Sequence, residues 1–185
     1  RKESSAASDV YKRQALSNPV DDQYKFQRTY GSDNLPAKMY SPVTGFFSIT
    51  SGATGLERTE GSLLAGTDDK LFYDRVSGWL TGQEPTGAAV ELTLNPKAQR
   101  AAYEALDGQK GAAVAMDPKT GEVLAMVSTP GFDPNDMATH NRKDAEAAYK
   151  SALEDPDNPL YNRAIGGNLY PPGSVFKLVT AAAAI

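Results

Sequence analysis

Residues 171–185 read Pro-Pro-Gly-Ser-Val-Phe-Lys-Leu-Val-Thr-Ala-Ala-Ala-Ala-Ile, and this stretch limits the fold more than any other. Val175, Phe176, Leu178, Val179 and Ala181 to Ile185 are apolar on every side of a helix. That pattern belongs to a helix buried inside a domain, not one laid on its surface. Pro171-Pro172-Gly173 forces a sharp, non-helical approach to it. The first turn carries Ser174 and Lys177, and residues three apart share a helix face. First-turn backbone N–H groups lack helical partners and carry partial positive charge, which favours a developing serine alkoxide. A lysine deprived of water is held less firmly as ammonium. A neutral amine can then take the serine proton. Ser-x-x-Lys alone is a common pattern, and a serine N-cap needs no chemistry. What lifts the functional reading is the cost of burying a lysine amid Phe176, Leu178 and Val179.

Composition excludes several alternatives. The 185 residues carry a net charge of -4, so nothing favours nucleic acid as a partner. Cysteine is absent, which removes disulfides, thiolate metal sites and a cysteine nucleophile. The single histidine, His140, leaves no His-rich metal cluster, and no cofactor is expected. No run of about 18 apolar residues marks a membrane span. Residues 1–14 are polar and aperiodic. Asp9 to Gln14 resembles the in-frame translation of a transposon-end adapter, so residues 1–14 are set apart as a non-native tail. A disordered polar tail would lead to the same structural expectation.

The remainder divides at a Gly/Pro-containing linker, residues 82–87. In the first region, 15–87, Tyr24 to Tyr30 alternates aromatic and polar and predicts a half-buried strand. Phe46 to Ile49 predicts a second, short strand after a turn at Pro42 and Gly45. Gly55 to Arg58 and Ser62 to Leu64 predict helical turns, and Thr67-Asp68-Asp69 caps a helix through Leu80. In the second region, 88–185, Ala89 to Leu94 predicts a strand. Asn95-Pro96 opens a helix through about Leu106. Gly111 to Met116 and Glu122 to Ser128 predict two strands joined by Asp117 to Gly121, the second apolar enough to be covered on both faces. Thr129 to Asn135 reads as loop, and Lys143 to Leu153 as a solvated surface helix.

Tyr170-Pro171-Pro172-Gly173-Ser174-Val175-Phe176-Lys177 resembles the nucleophile motif of penicillin-binding proteins. Gly111 to Ser128 is similar to the hairpin that opens their transpeptidase domain. Phe132-Asp133-Pro134-Asn135 and Asn162-Arg163-Ala164 match segments between that hairpin and the nucleophile. Ser41 to Phe46 and Thr54 to Arg58 resemble the N-terminal pedestal of class B enzymes of actinobacterial type. The resemblance spans residues 15–185. It implies an α+β fold: a pedestal, dimerisation-like region at 15–87 and the start of a transpeptidase domain at 88–185. It further implies that Ser174 attacks the penultimate D-alanyl carbonyl of a stem peptide, with Lys177 as acylation base and the Ser174 N–H as half of an oxyanion hole. Beta-lactams would acylate the same serine. A membrane glycosyltransferase partner and an extracytoplasmic catalytic domain on a single-pass anchor are implied too, and this stretch alone is expected to be inactive. Two other readings stay open: a penicillin-recognising sensor or silent scaffold of the same fold, and a beta-lactamase, which the pedestal-like region disfavours.

The family also uses Ser-x-Asn and Lys-Thr-Gly motifs. Ser32-Asp33-Asn34 and Lys119-Thr120-Gly121 precede Ser174, the reverse of the family order, and read as loop and hairpin turn. His140 is expected in a solvent-exposed loop, Asp155 and Asp157 in a turn around Pro156, and Phe72 and Trp79 in a small core of the first region.

Overall fold

A computed structural model describes residues 15–24, 26–32, 35–68, 87–167 and 170–185. Two strands open it: β1 (Ala15–Pro19) pairs antiparallel with β2 (Phe26–Tyr30), Ala15 opposite Tyr30. β2 is the strand expected from the aromatic alternation, shortened at its start; β1 had no comparable pattern. After Pro36 comes α1 (Ala37–Thr44). The sequence suggested a turn at Pro42 and Gly45, yet Pro42 lies inside this short helix, and only Gly45 breaks it. The two-residue strands β3 (Phe47–Ser48) and β4 (Gly52–Ala53) form a tight antiparallel pair. The helical turns α2 (Gly55–Thr59) and α3 (Gly61–Leu64) follow as expected. The helix expected through Leu80, and Phe72 and Trp79 with it, lie outside the described residues, as does most of the 82–87 linker.

The segment expected as a strand at 89–94 forms no ladder among the described residues. Exposure still alternates along it, the mark of an extended chain. Its ties to the hairpin are few: Thr93 Oγ1 donates to the Val123 carbonyl at 2.8 Å, and the Asn95 N–H donates to Leu124 O at 2.8 Å. Asn95 then caps α4 (Pro96–Leu106), its side chain accepting from the Lys97 and Ala98 N–H groups with Pro96 at the first helical position. β5 (Gly111–Met116) and β6 (Val123–Thr129) form the expected hairpin. The loop expected at Thr129 to Asn135 gives way at Pro134 to α5 (Pro134–Ala138), capped by Asp133 through the Asn135 N–H. It repeats the Asn95-Pro96 device with Asp-Pro. α6 (Arg142–Glu154) starts from an Asn141 cap. Residues Gly173–Phe176 form a 3₁₀ turn leading into α7 (Lys177–Ala183).

The fold class is α+β, with antiparallel hairpins and short helices sharing three apolar clusters. Tyr30 and Ala37 pack with Ala138. Leu35, Met39 and Tyr40 pack with Leu94 and Tyr103. Phe46 packs with Phe132, Met137 and one side of α6 at Ala148, Tyr149 and Ala152. Phe46 meets Phe132 edge-on, with ring centroids 5.8 Å apart. Each cluster therefore joins side chains from before residue 68 to side chains after residue 88. α6 is the surface helix expected at Lys143 to Leu153, mostly exposed, with Ala145 fully buried on its inner side.

Polar bonds reinforce these seams. Gln99 is fully buried on α4. Its Oε1 accepts from the Met126 N–H at 2.8 Å, and its Nε2 donates to the carbonyls of Met126 and Met39 at 2.9 and 2.8 Å. Asn135 does the same for β2: Oδ1 accepts from the Tyr30 N–H at 2.8 Å and Nδ2 donates to Tyr30 O at 3.0 Å. Arg28 donates through Nε to Glu57 Oε1 at 2.6 Å with its Cζ over the Tyr30 ring, 5.9 Å from the centroid, and Glu57 is only 7% exposed. Burial first, then the Glu57 charge, holds the Tyr30 phenol well above its ordinary value, so it stays protonated and accepts from the Phe47 N–H at 2.7 Å.

Two substitutions test this framework by thermal unfolding. Gln99→Leu keeps bulk but leaves three buried or partly buried backbone groups without their partner. Each such orphan costs about 1–3 kcal/mol, so the melting temperature should drop by several degrees, and an unchanged midpoint would contradict the role given to Gln99. Gly45 sits at φ 67°, ψ −153°, and a Cβ there would lie 2.1 Å from the Thr54 carbonyl oxygen. Gly45→Ala should therefore destabilise by about 3 kcal/mol or more, because backbone must move; Gly61→Ala, where a Cβ meets nothing within 4 Å, is the neutral comparison.

Candidate functional site

The approach to Ser174 is built from a glycine that must be a glycine. Gly173 has φ 52°, a left-handed value that side chains rarely adopt, and it follows Pro172 at φ −70°. The next residues wind as 3₁₀ rather than as the first α-turn expected from the sequence. The Val175 N–H donates to Pro172 O at 3.1 Å, and the Lys177 N–H donates to the carbonyls of Ser174 and Val175. In a 3₁₀ turn, side chains three apart eclipse each other. Ser174 and Lys177 therefore leave the same face of the turn, with Lys177 as the first residue of α7.

One expectation is corrected here. The sequence predicts a helix and a lysine buried among apolar side chains, whereas every position from 170 to 185 is exposed. Leu178 is 72% and Val175 69% exposed. Among the described residues no element covers this helix, so nothing strips the Lys177 amine of water. The apolar side chains of the turn and of α7 are solvent-facing, Val179 and Phe176 included.

The chain reaches this turn from a well-fastened segment. The Ser128 hydroxyl, at the end of β6, donates to the Tyr161 carbonyl at 2.9 Å and accepts from the Arg163 N–H at 3.0 Å. Asn162 Nδ2 donates to Pro42 O in α1 at 2.8 Å and touches Met126 Sδ at 3.7 Å. Arg163 is buried, donating through Nη2 to the Asp157 carbonyl; its Nε and Nη1 have no partner among the described residues. Sequence reasoning noticed Asn162 and Arg163 as a motif without a physical role, and missed Ser128 and Gln99. An isolated serine in a strand and a glutamine in a helix carry no local signal of such long-range bonds.

Other candidates fall into structural roles. Asp117 Oδ1 accepts from the Lys119 and Thr120 N–H groups at 2.7 and 3.1 Å, and Gly121 has φ 77°, so Lys119-Thr120-Gly121 is a hairpin turn as expected. Ser32 and Leu35 exchange backbone bonds at 2.9 Å across a tight loop, and Asp33-Asn34 lie outside the described residues. The Asp155 side chain accepts from the Asp157 N–H at 2.7 Å, and Asp157 pairs with Lys110. His140 departs from expectation: its side chain is only 16% exposed, its Nδ1 pairs with Asp22, and its ring lies 4.6 Å from that of Tyr24. The pairing fastens the turn after β1 to the start of α6. A groove of ≈ 510 Å³ lies between Phe26, Phe47, Ile49, Leu64, Arg28 and Glu57, and its lining includes neither Ser174 nor Lys177.

Comparison with known proteins follows the same division of the chain. Residues 10–90 match the penicillin binding protein A dimerisation domain, and residues 111–185 match the penicillin binding protein transpeptidase domain. The peptidoglycan D,D-transpeptidase PbpA of Mycolicibacterium smegmatis is 43% identical over 176 residues, covering 92% of this chain and 35% of the relative. The peptidoglycan D,D-transpeptidase MrdA of Acinetobacter baumannii is 40% identical over 137 residues, covering 70% of this chain and 20% of that protein. The penicillin G acyl-enzyme complex of penicillin-binding protein A from Mycobacterium tuberculosis superposes with a TM-score of 0.84 at 42% identity, covering 92% of this chain and 39% of that one. The chain thus spans about a third of the length of the PbpA relative.

The turn role of Lys119 can be checked with penicillin, which forms an acyl-enzyme with the tuberculosis protein. Lys119→Ala in the full-length gene product should leave covalent labelling by a fluorescent penicillin unchanged. A loss of labelling in a folded Lys119→Ala protein would make that lysine part of the site.

Proposed function

The chain belongs to the penicillin-binding proteins, and on that premise we propose that the protein carrying it is a peptidoglycan D,D-transpeptidase with Ser174 as nucleophile. The observation that carries this reading is the turn at Gly173–Phe176, which sets Ser174 and Lys177 on one face directly after a glycine of positive φ. The acyl-enzyme structures of the tuberculosis protein support a covalent route.

In this reading the Lys177 amine takes the Ser174 hydroxyl proton as Oγ adds to the penultimate D-alanyl carbonyl of a stem peptide. The tetrahedral oxyanion is met by the Ser174 N–H together with a donor from outside residues 1–185. Collapse expels D-alanine, whose amine leaves with a proton, and an acyl-enzyme remains. An amine of a neighbouring strand then attacks the ester, restoring Ser174 and forming the cross-link. A beta-lactam ring opens on the same Oγ. Lys177 needs a dry setting to serve as base, and the described residues leave it exposed, so the covering surface comes from elsewhere in the protein.

Domain organisation follows the same reading: a non-native tail at 1–14, a pedestal at 15–87 and the start of the transpeptidase domain at 88–185. An extracytoplasmic catalytic domain on a single-pass anchor, working beside a membrane glycosyltransferase, completes it. No described helix is long and apolar enough to cross a membrane.

Labelling of the full-length gene product by a fluorescent penicillin tests the assignment. Ser174→Ala should abolish the covalent band, and Lys177→Ala should slow its appearance by about 10²-fold or more. Undiminished labelling of Ser174→Ala would remove the nucleophile. Absence of any labelling in the unaltered protein would favour a silent scaffold of the same fold.

A further inference from the structure

We propose that Asn162 is a positioning residue for Ser174, an inference that rests on the reading of Ser174 as nucleophile. Its side chain fastens the last anchored turn before the nucleophile to the C-terminal end of α1. Pro42 O is one of the final four carbonyls of α1, which have no intrahelical donor. Asn162 Nδ2 supplies one at 2.8 Å. The same residue makes the turn that follows: its Oδ1 accepts from the Ala164 N–H at 3.0 Å, and its carbonyl accepts from the Ile165 and Gly166 N–H groups at 3.2 and 2.9 Å. Ser128 holds the flanking residues, Tyr161 and Arg163, to the end of β6.

Beyond this clamp the described residues show no long-range hydrogen bond. Residues 165–167 and 170–185 are exposed throughout. The last long-range bonds before Ser174 among the described residues are therefore those at residues 161–163, and one of them reaches back 120 positions to the first region. Displacing a reacting group by about 1 Å can cost about 10²-fold in rate. Loosening this anchor should accordingly slow acylation without removing any group that touches the substrate.

The test uses the full-length gene product and the rate of acylation at saturating fluorescent penicillin. Asn162→Asp keeps the size and the acceptor for the Ala164 N–H, but turns an oxygen toward Pro42 O. The expected result is a fall of about 10-fold or more in acylation rate, with labelling still reaching every molecule. Ser128→Ala should slow acylation in the same way. Asn135→Ala, which breaks a comparable amide clamp on β2, should lower the melting temperature but leave the rate unchanged. A reduced labelled fraction reacting at the normal rate would assign Asn162 a merely structural role and overturn the inference. If Asn162→Asp does not fold, a normal rate in Ser128→Ala overturns it instead. These failures leave the nucleophile standing as long as Ser174→Ala stays unlabelled. Labelling of Ser174→Ala would bring down both.

Discussion

Among the described residues the outer edge of β6 meets no further strand, and the Gln99 side chain pairs with it instead. A carboxamide has the donor and acceptor of a peptide group, so one glutamine satisfies both backbone groups of Met126 as a neighbouring strand would. Its second donor bond, to Met39 O, reaches α1. A fully buried amide with three good bonds stabilises only because each is made; in a low-dielectric interior an unmade one costs more than the bond contributes. The hairpin, α4 and α1 are thereby obliged to keep one mutual arrangement. Asn135 repeats the device at Tyr30, and Asn162 at Pro42. Three amides from the second half of the chain each close an open backbone group, two of them in the first region and one in the hairpin that also grips it.

The apolar clusters run along the same seams. Phe46, from the first region, is enclosed by Phe132, Met137 and α6, and Met39 and Tyr40 are covered by Leu94 and Tyr103. Burying such side chains is worth about 1.5–3 kcal/mol each, but it does not choose a register. The directional amide bonds choose it. This division of labour matters for chemistry, because the approach to Ser174 departs from the clamped end of β6. The last long-range bonds before Ser174 among the described residues are made at residues 161–163, and the turn that carries Ser174 is exposed.

Much of this was legible in the sequence where the signal is local. Asn95-Pro96 announced α4, the alternation in 24–30 announced β2, and Asp117 with Gly121 announced the hairpin turn, since each depends on a few adjacent residues. The helical stretch that carries Ser174 and Lys177 was readable for the same reason, although it opens with a 3₁₀ turn. Misreadings came where the local signal was ambiguous or the deciding partner was distant. Pro42 and Gly45 spelled a turn, but α1 absorbs the proline near its end and breaks only at the glycine. Ala89 to Leu94 has a strand's composition and alternation, yet forms no ladder among the described residues and is tied to β6 through Thr93 and the adjoining Asn95 N–H. His140 looked like an exposed loop residue because nothing near it in sequence reveals Asp22 and Tyr24, which lie 118 and 116 positions away. Asp133-Pro134, a cap identical in logic to Asn95-Pro96, was passed over because the surrounding prolines and glycine spelled loop.

Amide hydrogen exchange at Met126 and Tyr30 in the full-length protein tests the central claim most directly, that side-chain amides take the place of missing strands. Both N–H groups face away from the strand that pairs with them, and both donate to a carboxamide oxygen. If the account is right, they exchange only when the whole unit unfolds, as slowly as the central residues of the β5–β6 ladder. Exchange at the rate of an open strand edge, with the ladder itself still protected, would show that Gln99 and Asn135 do not hold those edges closed.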